Sequence, residues 1–243
     1  MDERSEISEL AIKNFSTDET SPFENLWYNI AEERTHRKLR KWLKNKINSK
    51  TLILNAGSGG VDYGIKDGTM IHLDIVDKLV NMHEKYIIAS IDSIPCDDNS
   101  FDVLICVGSV LNYADIILGI KELCRVLKPF GTLILEFERS NSGEFLFTKN
   151  WHRNVVFCDE KYGNQRHKYW VFDEKFVYHT LQHHGMNCKK KFRFHIISSL
   201  ILRITKSEKF AARFAFFDYC CQFLSYLLAC NVMLCLKKGK ETI

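Results

Sequence analysis

The 243-residue chain has only three prolines, and none of its nine cysteines forms a Cys-x-x-Cys pair. Pro22 closes a polar arm, Pro95 falls in a polar loop and Pro129 stops a helical stretch. The cysteines (Cys96, Cys106, Cys124, Cys158, Cys188, Cys220, Cys221, Cys230, Cys235) are odd in number, and most have apolar neighbours, as in Leu104-Ile105-Cys106-Val107. Cysteines in such surroundings behave as small buried hydrophobes. Reduced thiols in a reducing compartment are therefore expected, with no disulfide framework and no zinc or other metal site.

An excess of one charge is also lacking. Lys and Arg number 34 against 30 Asp and Glu, a net +4, so nothing global demands a nucleic acid or an anionic membrane. The first ten residues, MDERSEISEL, are too acidic and polar for a secretory leader, and a cytoplasmic location is expected. Long apolar runs are nearly absent. Tyr219–Leu236 carries no charge and precedes Lys237, Lys238 and Lys240, close to the lower limit of roughly 17–20 residues for a spanning helix. Gln222, Ser225 and Asn231 interrupt it, which favours a buried helix followed by a core strand; membrane contact is not expected, although association with a lipid surface stays open.

What is present is an alternation. Residues 1–22 read as a flexible arm, and residues 23–243 as a single domain with a core half (50–140) and a lid with C-terminal elements (141–243). Residues 23–46 are helical, with Leu26, Ile30, Leu39 and Leu43 on a buried face. The same stretch holds Arg34, Arg37, Lys38, Arg40, Lys41, Lys44 and Lys46, a solvated face or, alternatively, a contact for a phosphate-bearing partner. Strands follow at 51–54, 70–73, 87–88, 101–107 and 132–137, with helices at 77–83 and 116–127. Residues 139–170 are aromatic and polar without a clean period. A helix at 173–184, a strand at 190–197, one or two helices at 207–230 and a strand at 232–236 complete the chain. Strands alternating with helices predict a doubly wound, Rossmann-like, mostly parallel sheet of seven strands with helices on both faces. Ligands of such sheets bind beyond the strands' C-terminal ends.

Two features there carry chemistry. The turn LILNAGSGG lets backbone approach a ligand, and a helix start after it would offer unpaired N–H groups. Asp74 ends the second strand, where a carboxylate can accept both hydroxyls of a ribose, although an aspartate there can also cap a helix. A nicotinamide dinucleotide is disfavoured, because the sixth position counted from Gly57 is Asp62 where the fingerprint wants glycine.

The order LNAGSGG, HLD, IPCDDNSFDVLI, RVLKPFGTLILEF resembles the class I S-adenosylmethionine-dependent methyltransferases, in the small-molecule branch called type 11. The resemblance covers about residues 50–140, with looser similarity out to 236, and implies that the last of the seven strands is antiparallel and that a lid is inserted. It implies that Asn55, Ala56, Gly57, Ser58 and Gly59 surround the methionine half of S-adenosylmethionine, with S-adenosylhomocysteine as product. Asp74 would hold the ribose and Ile75 would pack on adenine. Ser90 or Asp92, with Ile91, would lie at the adenine edge, and Val107, Gly108 and Ser109 would border the sulfonium. Three positions depart from the family pattern: Asn55 replaces an acid, Val61 replaces the third glycine, and Ser90 aligns with the adenine-contacting acid.

The resemblance implies methyl transfer to oxygen, nitrogen or carbon of a small-molecule acceptor by in-line displacement. A cofactor-binding protein without turnover, and a protein or RNA methyltransferase, are the alternatives. Tyr113, His152 and His167 are the candidate bases, and Asn112 could orient an acceptor. The segment GSVLNY after the fourth strand lacks an NPPY motif, which argues against amino groups of DNA bases, and no nucleic-acid partner is expected. The aromatic lid residues Trp151, Tyr162, Tyr169 and Trp170 suit an apolar or planar acceptor, or simply a packed cap.

Overall fold

A computed structural model describes residues 3–16, 26–162, 165–205 and 207–240 of the chain. Seven strands form one sheet: β1 (Leu52–Ala56), β2 (Thr69–Asp74), β3 (Tyr86–Ile88), β4 (Phe101–Cys106), β5 (Leu127–Glu138), β8 (Met186–Phe194) and β9 (Asn231–Lys238). Their order is β3-β2-β1-β4-β5-β9-β8. β1 to β5 pair in parallel, as the alternation predicts, and β9 runs antiparallel between β5 and β8, as the resemblance implies.

Period two along each strand separates two cores. Leu54, Leu104, Leu133, Leu135, Phe137 and Leu234 face helices α4 (Ile116–Val126) and α5 (Glu174–His183). Ile53, Val103, Ile105, Ile134, Met233 and Cys235 face α2 (Leu26–Leu43). The helices are set by local chemistry. Asp115 caps α4 by accepting from the N–H groups of Ile117 (2.8 Å) and Leu118 (3.0 Å), and Asp173 caps α5 through Lys175 and Phe176.

Several elements depart from the sequence expectation. The polar arm contains helix α1 (Glu3–Ser16), whose Ile7 and Ala11, one turn apart, are buried. It lies against the second strand of a hairpin, β6 (Val155–Tyr162) and β7 (Gln165–Phe172), and Arg4–Asp115 (2.6 Å) and Glu6–Lys168 ion pairs hold it. Pro22 and Phe23 lie outside the described residues. The hairpin itself occupies the stretch that showed no period: Val156 and Cys158 alternate inward with Tyr169 and Val171, but charged and aromatic side chains between them mask the pattern. On α2 the buried stripe is Ala31, Thr35, Leu39 and Leu43, while Ile30 is only half-buried. β8 starts four residues early, because a bulge between Cys188 and Lys190 breaks its alternation. Helix α6 (Ile197–Thr205) was not anticipated, since its first N–H groups, on Ile197 and Ser198, are capped by Asp218 from 21 and 20 residues away. α7 (Glu208–Phe214) and the single turns α8 (Phe217–Cys220) and α9 (Ser225–Leu228) follow it.

The basic run of α2 is largely engaged within the fold. Arg34 donates to the Ala215 carbonyl (2.8 Å), Arg40 to that of Tyr63 (3.0 Å) and Lys46 to Thr132, while Lys38 lies over the Phe192 ring. All nine cysteines are free thiols.

The two halves of the chain are joined by a buried ion pair. Arg139, fully buried at the end of β5, donates to the carbonyls of Ser225 (3.1 Å), Tyr226 (2.8 Å) and Ala229 (2.8 Å), and its Nε lies 3.1 Å from Glu174. Glu174 also accepts from Arg193 (2.8 Å) and Lys191. Burial alone would raise the Glu174 pKa, but Arg193, Arg139 and Lys191 outweigh it and hold the group at about 2. Its contribution is present above the unfolded carboxyl range near ~4.3 and is lost as pH falls towards about 2. Glu174→Gln leaves Arg139 and Arg193 facing each other without a counter-charge. Urea unfolding at pH 7 is expected to show a loss of about 3–5 kcal/mol, much of it recovered by combining the change with Arg139→Met.

Candidate functional site

The order of the sheet reverses between β1 and β4, which are flanked on one side by β2 and β3 and on the other by β5. Such a switch point leaves a crevice at the C-terminal strand ends. A cleft of about 360 Å³ occupies it, bordered by the loop after β1, the end of β2, the loop after β4 and the end of β5.

The loop after β1 turns on three glycines with positive φ: Gly57 (68°), Gly59 (53°) and Gly60 (78°). No helix follows it, contrary to the sequence expectation; turns fill the stretch to β2. Its N–H groups are engaged within the protein. Gly57 and Ser58 donate to the Leu73 carbonyl (2.7 and 3.0 Å), Gly59 to Asp74 Oδ2 (2.9 Å) and Gly60 to Ser58 Oγ (3.1 Å). The loop therefore acts by shape. A Cβ on Gly59 would meet nothing within 4 Å, so backbone there is open to the cleft. Asp74 also accepts from Val76 (3.0 Å); burial raises its pKa, and the N–H groups of Gly59, Val76 and Ile75 oppose that.

Of the anticipated cofactor residues, Gly57, Ser58, Gly59, Asp74, Ile75, Ser90, Ile91, Val107, Gly108 and Ser109 line this cleft. Asn55, Ala56 and Asp92 do not. Asn55 and Ala56 are fully buried beneath the loop, where Asn55 Nδ2 donates to the Val61 carbonyl (2.7 Å) and Oδ1 has no partner. Asp92 turns towards α4 and accepts from the Asp115 N–H (3.2 Å), which leaves Ser90 at the cleft edge.

The candidate bases divide similarly. Tyr113 lines the cleft, with its ring 6.0 Å from that of Tyr169. His152 lies elsewhere, with Nδ1 3.1 Å from the α5 cap Asp173. His167 is buried beside Phe15 of α1, away from the cleft lining. Asn112 is a structural clamp: it donates to the Trp170 carbonyl (2.6 Å) and accepts from the Glu138 N–H (2.9 Å).

The most consequential side chains of the cleft were missed. Glu136 and Glu138 project two residues apart from the end of β5, and Glu144 follows in the loop beyond. Glu136 accepts from the N–H groups of Gly108 (2.8 Å) and Ser109 (2.6 Å) and from Asn231 Nδ2 (2.7 Å). Burial raises its pKa against these donors. Glu138 is pushed up to about 8, first by burial and then by the like charges of Glu144 and Glu136, with the Ser109 hydroxyl opposing. Their signal was legible: in ILEFE both acids fall on one face at the ligand end of a core strand. His195, also at the cleft, is held neutral with a pKa of about 3 by burial and by Arg34.

Gly57→Ala places its Cβ 2.3 Å from Val110 Cγ1, whereas Gly59→Ala projects into open space, and both incur positive-φ strain. Thermal denaturation is expected to show the larger fall in Tm for Gly57→Ala.

Residues 57–135 match the family model described as a methyltransferase domain. The chain is 31% identical over 121 residues to the ubiquinone/menaquinone biosynthesis C-methyltransferase of Rickettsia massiliae, covering 49% of this chain and 46% of that protein. The chain spans about half the length of the curated relatives it matches. Among solved structures, a Listeria monocytogenes protein assigned as an S-adenosylmethionine dependent methyltransferase superposes with a TM-score of 0.61 at 10% identity, over 86% of this chain and 99% of that one. The Burkholderia thailandensis 1,6-didemethyltoxoflavin-N1-methyltransferase, solved with 1,6-didemethyltoxoflavin and S-adenosylhomocysteine, gives 0.51 at 11% identity, over 85% and 77%. At these identities the superpositions speak to fold alone. Residues 57–135 are thus similar to a methyltransferase domain, and the sheet order belongs to the fold shared with these solved structures.

Proposed function

We propose that the chain transfers a methyl group from S-adenosylmethionine to a small-molecule acceptor bound in the same cleft. The observation that carries this is the continuity of the cleft, which runs from the Gly57–Gly59 loop and Asp74 to Tyr113, Glu138 and Tyr169. The relative of ubiquinone and menaquinone biosynthesis supports a small acceptor over a macromolecule.

The residues present fit the cofactor. Asp74 borders the cleft as a ribose-binding carboxylate would, Ile75, Leu79 and Ile91 supply an apolar wall for a purine, and open backbone at Gly59 and Gly108 admits close approach. Glu136 and Glu138 suit a positively charged sulfonium. When bound, the cofactor supplies a methyl carbon already activated by positive sulfur.

The chain's own contribution is positioning and proton transfer. Tyr113, Tyr169 and Phe15 offer an aromatic slot for a planar or apolar acceptor, and α1 covers it from solvent through Ser8, Ala11 and Phe15. Glu138 accepts the acceptor's hydroxyl or amine proton. Its raised pKa leaves it mostly protonated at pH 7 in the free protein, and a cation beside it favours the carboxylate, the form a base needs.

Methyl-labelled cofactor incubated with a panel of phenols, amines and quinols is expected to yield labelled product. Glu138→Gln should lower the rate by about 10²-fold and remove a rise in kcat between pH 6 and 8. Folded protein that binds cofactor yet labels no acceptor across the panel would point to a cofactor-binding protein without turnover. A Glu138→Gln variant with wild-type rate and pH profile would remove Glu138 as the base.

A further inference from the structure

Residues 204–227 invert the usual relation between size and burial. On α7, α8 and the turns that follow, the buried positions are small or polar: Ala211 (0% exposed), Ala212, Ala215, Asp218 and Ser225. The large apolar side chains face outward, with Phe216 66% and Phe223 80% exposed, joined by Phe210, Phe217 and Leu227. Several rings are contiguous, with centroids of Phe210–Phe214 at 5.2 Å, Phe214–Phe217 at 6.0 Å and Phe216–Phe217 at 6.1 Å. Scattered surface hydrophobes are ordinary, but a continuous aromatic face over a core of alanines marks a surface built to meet something apolar.

Among the described side chains, the exposed charges of this face are basic. Lys209 and Arg213 are exposed on α7, whereas Asp218 is turned inward, where it accepts from Ile197 N (2.7 Å), Ser198 N (3.1 Å) and Ser198 Oγ (2.7 Å). The stretch 203–227 holds Arg203, Lys206, Lys209 and Arg213 against Glu208 and Asp218. Aromatic and aliphatic groups flanked by cations match the interface of an anionic bilayer, where rings sit among headgroups and cations pair with lipid phosphates. Among the described residues no helix is long and apolar enough to cross a membrane, so these short helices would lie in the interface plane. α6, which packs beneath α7, contributes Leu202 to the cleft. A bilayer against this face would therefore lie next to the element that carries part of the cleft wall.

We propose that the α7–α9 face docks the protein onto the surface of an anionic lipid bilayer. Docking is independent of the methyl-transfer proposal and is tested without turnover. The full chain is floated with phosphatidylcholine vesicles and with vesicles containing one-quarter phosphatidylglycerol, at low and high salt. It is expected to float with the anionic vesicles, at least 10-fold more weakly in high salt or with neutral vesicles. Phe216→Ser/Phe223→Ser, whose exposed positions leave the Tm unchanged, and Lys209→Glu/Arg213→Glu are each expected to lose at least 10-fold of this binding. Absence of flotation, or flotation unaltered in both variants, would overturn the proposal. A concentration-dependent dimer in sedimentation that the double serine variant abolishes, without lipid binding, would assign the face to a second copy instead.

Discussion

Two buried carboxylates hold the cleft open. A sheet that reverses its order must end its central strands in loops whose N–H groups have no ladder partner, and unpaired buried groups are costly. Asp74 takes the N–H of Gly59 and Glu136 takes those of Gly108 and Ser109, so each loop is pinned by an acid from the neighbouring strand. Asn231 of β9 completes the Glu136 set and ties the antiparallel strand beside β5 to the same point. Both acids are thereby placed at the cleft, where a positively charged ligand would find them.

The absence of a helix after the glycine loop changes how such a ligand would be held. Helix N-termini attract anions through free N–H groups and the macrodipole. Here the loop's N–H groups are spent on Leu73, Asp74 and Ser58. Recognition at this end therefore falls to shape and to the remaining acceptor capacity of Asp74. The substrate half is joined to this frame by Arg139, whose three carbonyl contacts fix α9 to the end of β5 and whose partner Glu174 begins α5.

Most of the sheet was legible because its strands are buried runs with glycine or aspartate at their ends, as at Gly57 and Asp74. The seven strands followed from the alternation and the antiparallel final strand from the resemblance, whereas their order in the sheet was not read from the sequence. What was not legible depends on distant partners. α6 owes its cap to Asp218, α1 is held by ion pairs to Asp115 and Lys168, and β8 hides its period behind a bulge. At the site, most of the residues expected to touch cofactor reach the cleft, but Asn55, Ala56 and Asp92 proved to be supports. His152 and His167 were named for their residue type and their place in the lid segment, and their positions, at a helix cap and under α1, show how little these say without geometry. Glu136 and Glu138 carried a stronger signal, acids in an otherwise apolar strand, which their reading as strand residues concealed.

The central claim is that the cleft between Asp74 and Glu136 holds the adenosyl cofactor. Isothermal titration of the folded full chain with S-adenosylhomocysteine, beside Asp74→Ala, tests it most directly. The account predicts one-to-one binding by the wild-type chain and at least 10-fold weaker binding by the variant. A folded wild-type chain that takes up no S-adenosylhomocysteine, or a variant that binds it equally well, would contradict it.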